Sequence, residues 1–549
     1  MCATPPSPAS SEGDSAAEMS PIGPSRTDHP VERRLSRRFQ VSLVWEGALV
    51  GLFGGLVVTL YRLALSGAEG ALRHLTAQAL GHPLLMAGWV LALACILIVV
   101  SRLLLWEPAT SGSGIPQIDA EVAGCFDAPW RRVLPAKFAE GTLLAFAGLS
   151  LGREGPSVQL GGMSGKAVSE ALGRRRGEER LLVTCGAAAG MSAAFHAPLT
   201  GVLFALEEIH REFSAPLIIS VMSSTVVADF LVSQVLGVQP VVSLSFVRDL
   251  PHPNYALVVL LGVVCGVAGA LHNRGMFCAQ NAFSRIERGL PYARLAVPFA
   301  LAAVAAFLWP ELMCGGDAIL DVVLSPQVPI MGTLVALLVG KYLFTSVSFG
   351  SGAPGGTLFP LVVLGALLGG IFSRLVSGLG VPMTFFPNFV ALGVAGLFSG
   401  VVRAPVTAVV LVFELTGSLD ALLSVSIVSI VAYVVSGLTK TDAFYEHLLA
   451  PFLPLEEDRA QYREETSEKD LETVTVRAES RLEGMLVRDV PWPDGLRLVT
   501  IERAGRLMAP TGNTRLCALD ELMFIVNESA ASDARLKLSL MCASRVREQ

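Results

Sequence analysis

The residue of this chain that packing explains least is Glu154. It stands in Gly152-Arg153-Glu154-Gly155-Pro156, at a predicted helix start within a strongly hydrophobic protein. A carboxylate in a membrane interior is costly and points to function. Ionised, it can occupy an anion site and block it. Protonated, it can swing away and open the path. A structural ion pair with Arg153 is the alternative, weakened because adjacent side chains usually point apart.

Three Gly- and Pro-rich motifs surround this idea. They read GSGIPQ (112–117), GREGPSVQ (152–159) and GSGAPGGTLFP (350–360). Each is predicted to be a loop feeding a helix. Pro116 and Pro156 suit a first helical turn, and Gly112, Gly114, Gly152, Gly155, Gly355 and Gly356 allow close backbone approach. A helix start presents unpaired N–H groups and the positive end of the helix dipole. Several starts aimed at one point make an anion site without a full positive charge. A buried Lys or Arg there would hold an anion too tightly for conduction. Ser113 adds a hydroxyl donor. Any one motif alone reads first as helix-kink punctuation, and the specific signal is the three together, one of them containing Arg–Glu.

Glu207 and Glu208 are neighbours near the end of an apolar segment, followed by His210 and Arg211. They belong to an internal repeat. GAAAGMSAAFHAP (186–198) matches GVAGLFSGVVRAP (393–405), and PLTGVLFALE (198–207) matches PVTAVVLVFE (405–414). Each position pairs with one 207 residues later, so Gly186 answers to Gly393, Ser192 to Ser399, Thr200 to Thr407 and Glu207 to Glu414. Glu207 therefore reads as structural in both halves. Glu208 has no counterpart, since Leu415 follows Glu414. That asymmetry marks it for a special task such as passing protons; a solvated helix-end carboxylate is the plainer reading. Repeats of this kind place the substrate site where the halves meet. Whether the repeat is inverted depends on the number of crossings per half, which the sequence leaves open.

The elements that must carry these residues are membrane helices. Of 549 residues, 52% are apolar and 16% charged, against roughly 25% charged in soluble domains. Mean hydropathy is +0.57. Apolar stretches recur from residue 41 to 449, several of them shorter than the roughly 20 residues a spanning helix needs. Interrupted segments survive in a bilayer only where protein covers them or they line a cavity. The expectation is an all-α polytopic protein of tilted, broken and re-entrant helices. The first 30 residues are rich in Ser, Pro and Ala, with no signal-peptide core, and read as disordered. Arg33, Arg34, Arg37 and Arg38 precede the first apolar stretch and place that end in the cytoplasm. The nine cysteines form no CxxC pair and the eight histidines are scattered, so neither disulfides nor a metal site is expected.

Together, the three motifs in this order and spacing resemble the CLC family of chloride channels and chloride/proton exchangers, over roughly residues 38–451. The resemblance implies a homodimer with one anion pathway per subunit, an inverted repeat, and both termini in the cytoplasm. It makes Ser113 the serine coordinating a central chloride, Glu154 the external gating glutamate, and Glu208 the inner proton glutamate of exchangers. The backbone amides of Thr357 and Leu358 and the hydroxyl of Tyr445 complete the anion site. There are departures. Leu358 stands where the family's GxFxP motif has an aromatic, and Gln117 stands where many members have Glu. Fluoride-selective members depart from GSGIP at the serine, so Ser113 favours chloride and similar anions.

The composition changes after residue 451. Residues 456–470 are polar and acidic, and short alternating stretches follow at 473–477, 496–502, 507–510 and 521–526, with turns at Gly505 and 511–513. They predict a small cytoplasmic α/β domain. It resembles the RCK-C (TrkA-C) regulatory domain, which implies a small nucleotide ligand and contacts between tails; a passive assembly domain is the alternative. The sequon at 527–529 is silent if cytoplasmic. The expected organisation is a disordered N-terminus (1–37), a membrane domain (38–451, halves about 40–250 and 251–450), a linker (452–471), the RCK-C-like domain (472–530) and a tail (531–549). The expected function is secondary chloride/proton antiport across the cell's inner (plasma) membrane, the alternative a passive gated chloride channel. Partners are chloride, protons, lipid and a second copy, with no nucleic acid and no cofactor. No His, Ser or Asp cluster joins the glutamates, so an enzyme is not expected. A ligand sensor with a vestigial membrane part conflicts with the intact motifs.

Overall fold

The computed structural model describes residues 30–453 and 469–527, apart from 175, 212, 214, 239–241, 243, 249, 287–290, 326, 478–479, 493–495 and 504–505, together with 541. Most of the expected disordered N-terminus, linker and tail, Gly505, and Glu528 and Ser529 of the sequon lie outside the described residues. The chain divides into two compact units, Met1–Phe452 and Leu453–Gln549.

The first unit is helical. Its first half comprises α1 (Pro30–Ala79), α2 (Pro83–Trp106), α3 (Ile115–Ala123), α4 (Trp130–Ala147), α5 (Glu154–Ala171), α6 (Arg176–Phe195), α7 (Pro198–Phe204) and α8 (Ala215–Leu236). The second comprises α9 (Tyr255–Ser284), α10 (Pro291–Leu308), α11 (Asp317–Val323), α12 (Met331–Gly350), α13 (Leu358–Ser377), α14 (Phe386–Val402), α15 (Pro405–Thr416) and α16 (Leu422–Leu438), and α17 (Phe444–Leu449) follows. Among the described residues, eight helices are long and apolar enough to cross a membrane. Their burial differs: the most apolar window of Pro83–Trp106 is only 28% buried, as a lipid-facing helix should be, while that of Met383–Val402 is 94% buried in the protein centre. Short α3, α7, α11 and α15 do not span; they are the broken elements the Gly/Pro punctuation called for. This is a multi-pass membrane protein.

The repeat is inverted, and two sets of hydrogen bonds show it. Glu207, just past α7, accepts from the N–H groups of Val406 (3.2 Å) and Thr407 (2.8 Å) and from Thr407 Oγ1 (2.7 Å) at the start of α15. Glu414, near the end of α15, accepts from the N–H groups of Leu199 (2.9 Å) and Thr200 (2.8 Å) and from Thr200 Oγ1 at the start of α7. Each end thus meets the other's start, so the equivalent helices run antiparallel. Carboxylates satisfy the orphan N–H groups and suit the positive end of the dipole. Likewise Gly152 N–H donates to Gly356 O (2.6 Å) and Gly356 N–H to Gly152 O (2.8 Å). A two-fold pseudo-axis relates both pairs. Where α5 crosses α6, a Cβ on Gly186 would lie 2.1 Å from Gly161 O; where α13 crosses α14, one on Gly393 would lie 2.3 Å from Gly365 O. That close approach is why the repeat keeps glycine at both places.

The second unit is a four-stranded antiparallel sheet in the order β1-β4-β2-β3: β1 Lys469–Thr475, β2 Leu496–Arg503, β3 Arg506–Met508 and β4 Glu521–Asn527. Its core gathers Val476, Leu482, Val490, Ile501, Leu516, Leu522 and Phe524. Buried Asp520 takes a two-pronged bond from Arg503 (2.7 Å on each oxygen) and one from Cys517 N–H (2.8 Å). Burial works to raise this carboxyl's pKa, but the Arg503 bond and the Cys517 N–H outweigh it and hold the pKa below the ordinary value.

Two expectations follow. Because the Glu207 and Glu414 caps are reciprocal, Glu207→Ala and Glu414→Ala should each destabilise the protein by about 1–2 kcal/mol. Thermal unfolding of both variants checks this; an effect from one alone contradicts the symmetric clamp. In the tail, a depressed carboxyl contributes stability above its unfolded pKa that is lost as pH falls below about 4. Hydrogen exchange of strand 496–503 in the full chain should accelerate below that pH, and Asp520→Asn should exchange fast at neutral pH too.

Candidate functional site

The three motif loops meet. Helices α3, α5 and α13 begin at Ile115, Glu154 and Leu358, one or two residues after Gly114, Gly152 and Gly356. Left-handed Gly114 (φ 98°) turns the chain into α3. Gly355 N–H donates to Gly112 O (3.0 Å), and Gly112 N–H and Ser111 Oγ both donate to Gly352 O (3.3 and 3.0 Å). With the Gly152–Gly356 pair, the third loop is stitched to the first two. A Cβ on Gly155 would lie 2.5 Å from Ser113 Oγ, 2.6 Å from Ser113 O and 3.0 Å from Gly356 Cα. Only glycine lets the three backbones close on one another there.

At this meeting point several donors are buried and unspent. Ser113 is buried and its Oγ has no hydrogen-bond partner. The Tyr445 hydroxyl lies beside Thr357 and has no partner of good geometry. Its ring is held edge-on by Phe204 (6.4 Å) and Phe444 (5.3 Å). Thr357 and Leu358 are buried, and their N–H groups stand at the start of α13, where no preceding turn supplies carbonyls. Buried polar groups usually find partners, so such a concentration points to a ligand.

Glu154 is fully buried and folded onto the same helix start: its Oε2 accepts from Phe359 N–H at 3.2 Å. Its Oε1 lies 3.7 Å from Arg153 Nε, and Arg153 Nη2 lies 3.5 Å from Asp317 Oδ1. Arg153 also sits 4.9 Å over the Phe359 ring. The expectation that Arg153 and Glu154 point apart is therefore corrected. Arg153 precedes the helix as its N-cap residue.

Glu208 is buried in a π-helical turn, Ala205–His210, with its Oε1 3.8 Å from Arg211 Nη2. The wider turn lets Glu207 reach α15 while Glu208 faces inward. The charged groups around the Tyr445 hydroxyl are Glu208, Glu154 and Asp119. Asp119, on α3, was missed by the sequence reading; both its oxygens are buried without partners, and it faces Glu208 and Arg211. Lys137 was also missed. It is fully buried on α4 and donates to Thr110 O (2.7 Å) and Gly112 O (2.8 Å), behind the Ser113 loop. A charged residue within a membrane-domain helix was the available signal for both, though each shares its helix with other charges.

A cavity of about 530 Å³ opens beside Ser113, lined also by Gln117, Gln280, Phe349, His447 and Phe452. No carboxylate is among its lining residues. Gln117 spends its amide on Ser111 O (2.6 Å). An anion can approach Ser113 from this side without meeting like charge.

If the close contact of the loops builds the site, Gly155→Ala should force them apart and cut ion transport at least about tenfold. The protein should still fold, because the clash falls on a loop. Flux in liposomes checks this; wild-type flux would contradict it.

Comparison with known proteins agrees with this architecture. The family model "Voltage gated chloride channel" matches residues 92–437, and the TrkA-C domain model matches 471–539. An H(+)/Cl(-) exchange transporter, ClcA, of Vibrio vulnificus is 32% identical over 418 residues, covering 74% of this chain and 89% of its own length. ClcA of Salmonella agona is 31% identical over 435 residues, covering 76% and 90%. The crystal structure of a slow cyanobacterial Cl-/H+ antiporter superposes with a TM-score of 0.70 at 27% identity, over 74% of this chain and 97% of that one. This chain belongs to the voltage-gated chloride channel (CLC) family, with a TrkA-C domain following its membrane part.

Proposed function

We propose that this protein is a secondary chloride/proton antiporter. The observation that carries the reading is Glu154 itself. A carboxylate is an anion, and here its Oε2 accepts from the Phe359 N–H at the start of α13, with Tyr445 within its electrostatic reach. Chloride bound by Ser113, Tyr445 and the amides of Thr357 and Leu358 competes with that carboxylate for the same donors. Adding a proton removes the carboxylate's charge and its claim on them, so proton uptake and chloride entry are linked. Glu208 supplies that proton from the opposite side, next to the buried hydroxyl of Tyr445. The exchange transporters ClcA and the cyanobacterial antiporter support antiport over a channel.

The protein works in the cell's inner (plasma) membrane as a homodimer, one pathway per subunit, with both termini cytoplasmic. The arginines at 33–38 support that orientation. The TrkA-C domain regulates transport by binding a small nucleotide ligand.

Reconstituted protein tests the reading. Glu154→Gln should abolish proton movement while chloride flux continues. Glu208→Gln should stop proton transport and leave chloride flux. Proton movement that persists in either variant removes that residue from its role. Chloride flux without proton movement in the unaltered protein makes it a channel.

A further inference from the structure

Among the described residues, the cavity beside Ser113 is lined by one side chain that changes charge near neutrality, His447. It stands two residues after Tyr445 on α17, close to where the membrane unit ends. The imidazole is partly exposed and held by two contacts. Its ring stacks on Phe277 of α9, with centroids 3.8 Å apart and planes at 21°. Its Nδ1 lies 2.9 Å from Asp442 Oδ2.

These contacts decide what the other nitrogen offers. A neutral imidazole carries one N–H, and an ionised carboxylate only accepts. Facing Asp442, Nδ1 keeps that N–H. Nε2 then presents a lone pair, and it has no hydrogen-bond partner among the described residues. Protonation gives Nε2 an N–H and the ring a positive charge. One proton thus turns a group that repels an anion into a charge-assisted donor that binds one.

The surroundings leave this change to His447. Gln280, Asn281 and Ser284 from α9 and Gln117 from α3 line the cavity, and all are neutral. The charges on the packed elements are engaged elsewhere. Arg403, just past α14, donates to Thr441 O, and Arg274 on α9 to Thr439 O (3.0 Å). Lys137 holds Gly112 O, and Glu121 on α3 pairs with Lys166. Asp119 on α3 and Glu446, beside His447, lie within electrostatic reach of Glu208. In an open cavity, one added positive charge raises local anion concentration without the grip of a buried ammonium.

We propose that the cavity holds a proton-switched anion site: protonated His447 donates through Nε2 to chloride or a similar small anion on its way to Ser113, and the neutral ring does not. This rests on chloride binding at Ser113 as proposed above. The proton on His447 sets anion affinity and is separate from the transported proton, which Glu154 and Glu208 carry.

Full-length Glu154→Gln protein in liposomes separates the two, because its chloride flux should run without proton movement. With equal pH on both sides, its half-saturating chloride concentration should be at least about threefold lower at about pH 5 than at about pH 8. Adding His447→Ala should make that concentration high at both pH values. Adding His447→Arg, which keeps a charged donor throughout, should make it low at both. A pH dependence that survives His447→Ala overturns the proposal, as does a flat profile in Glu154→Gln alone. Should Glu154→Gln pass no chloride, diffraction from bromide-grown crystals of the unaltered protein decides. A bromide peak within reach of His447 Nε2 at about pH 5 and not at about pH 8 supports the site, and a peak at both or at neither overturns it. Absence of chloride flux in the unaltered protein overturns the antiporter reading and this proposal together.

Discussion

Every polar backbone group inside a bilayer must find a partner within the protein. Here that constraint falls on three loops that are not helical, and they meet it by pairing with one another. Gly152 and Gly356, equivalent residues of the two halves, exchange both hydrogen bonds. Gly355 N–H donates to Gly112 O, and Gly112 N–H to Gly352 O. Neither half can bury its own broken helices alone. The interior at which the halves meet follows from this need, and so does the convergence of three helix starts upon it.

The same pairing makes the site. Once loop carbonyls are spent on loop amides, the remaining donors are the helix starts, Ser113 and Tyr445. They form a positive region built from dipoles, into which Glu154 folds. Full charges are present but recessed. Lys137 faces carbonyls on the far side of the Ser113 loop, and Arg153 is engaged by Asp317 and the Phe359 ring. Both cations are turned onto protein groups.

Much of this was legible in the sequence. The repeat was visible because Pro, Thr and Glu recur at fixed offsets, and those residues proved to be the reciprocal caps of α7 and α15. The motif glycines pointed to close backbone approach, and Gly155 and Gly356 provide it. The inversion was not legible, since it depends on which end of α7 meets which end of α15. Nor was the Arg153–Glu154 contact, because the helix begins between the two residues. Lys137 and Asp119 were hidden for a different reason. Each shares a short stretch with other charged residues, Glu121 in α3 and Arg131, Arg132 and Glu140 in α4, and only the fold shows which side chains turn inward. In the tail the strand positions were readable from alternation, while the pairing β1-β4-β2-β3 is a property of the sheet alone.

Where the two halves meet, Ser113, Tyr445 and the start of α13 should form one anion site. Anomalous diffraction from crystals grown in bromide tests it most directly. A bromide peak is expected within hydrogen-bonding reach of Ser113 Oγ, the Tyr445 hydroxyl and the amides of Thr357 and Leu358. Bromide bound elsewhere in the membrane unit, with none among these groups, would contradict it.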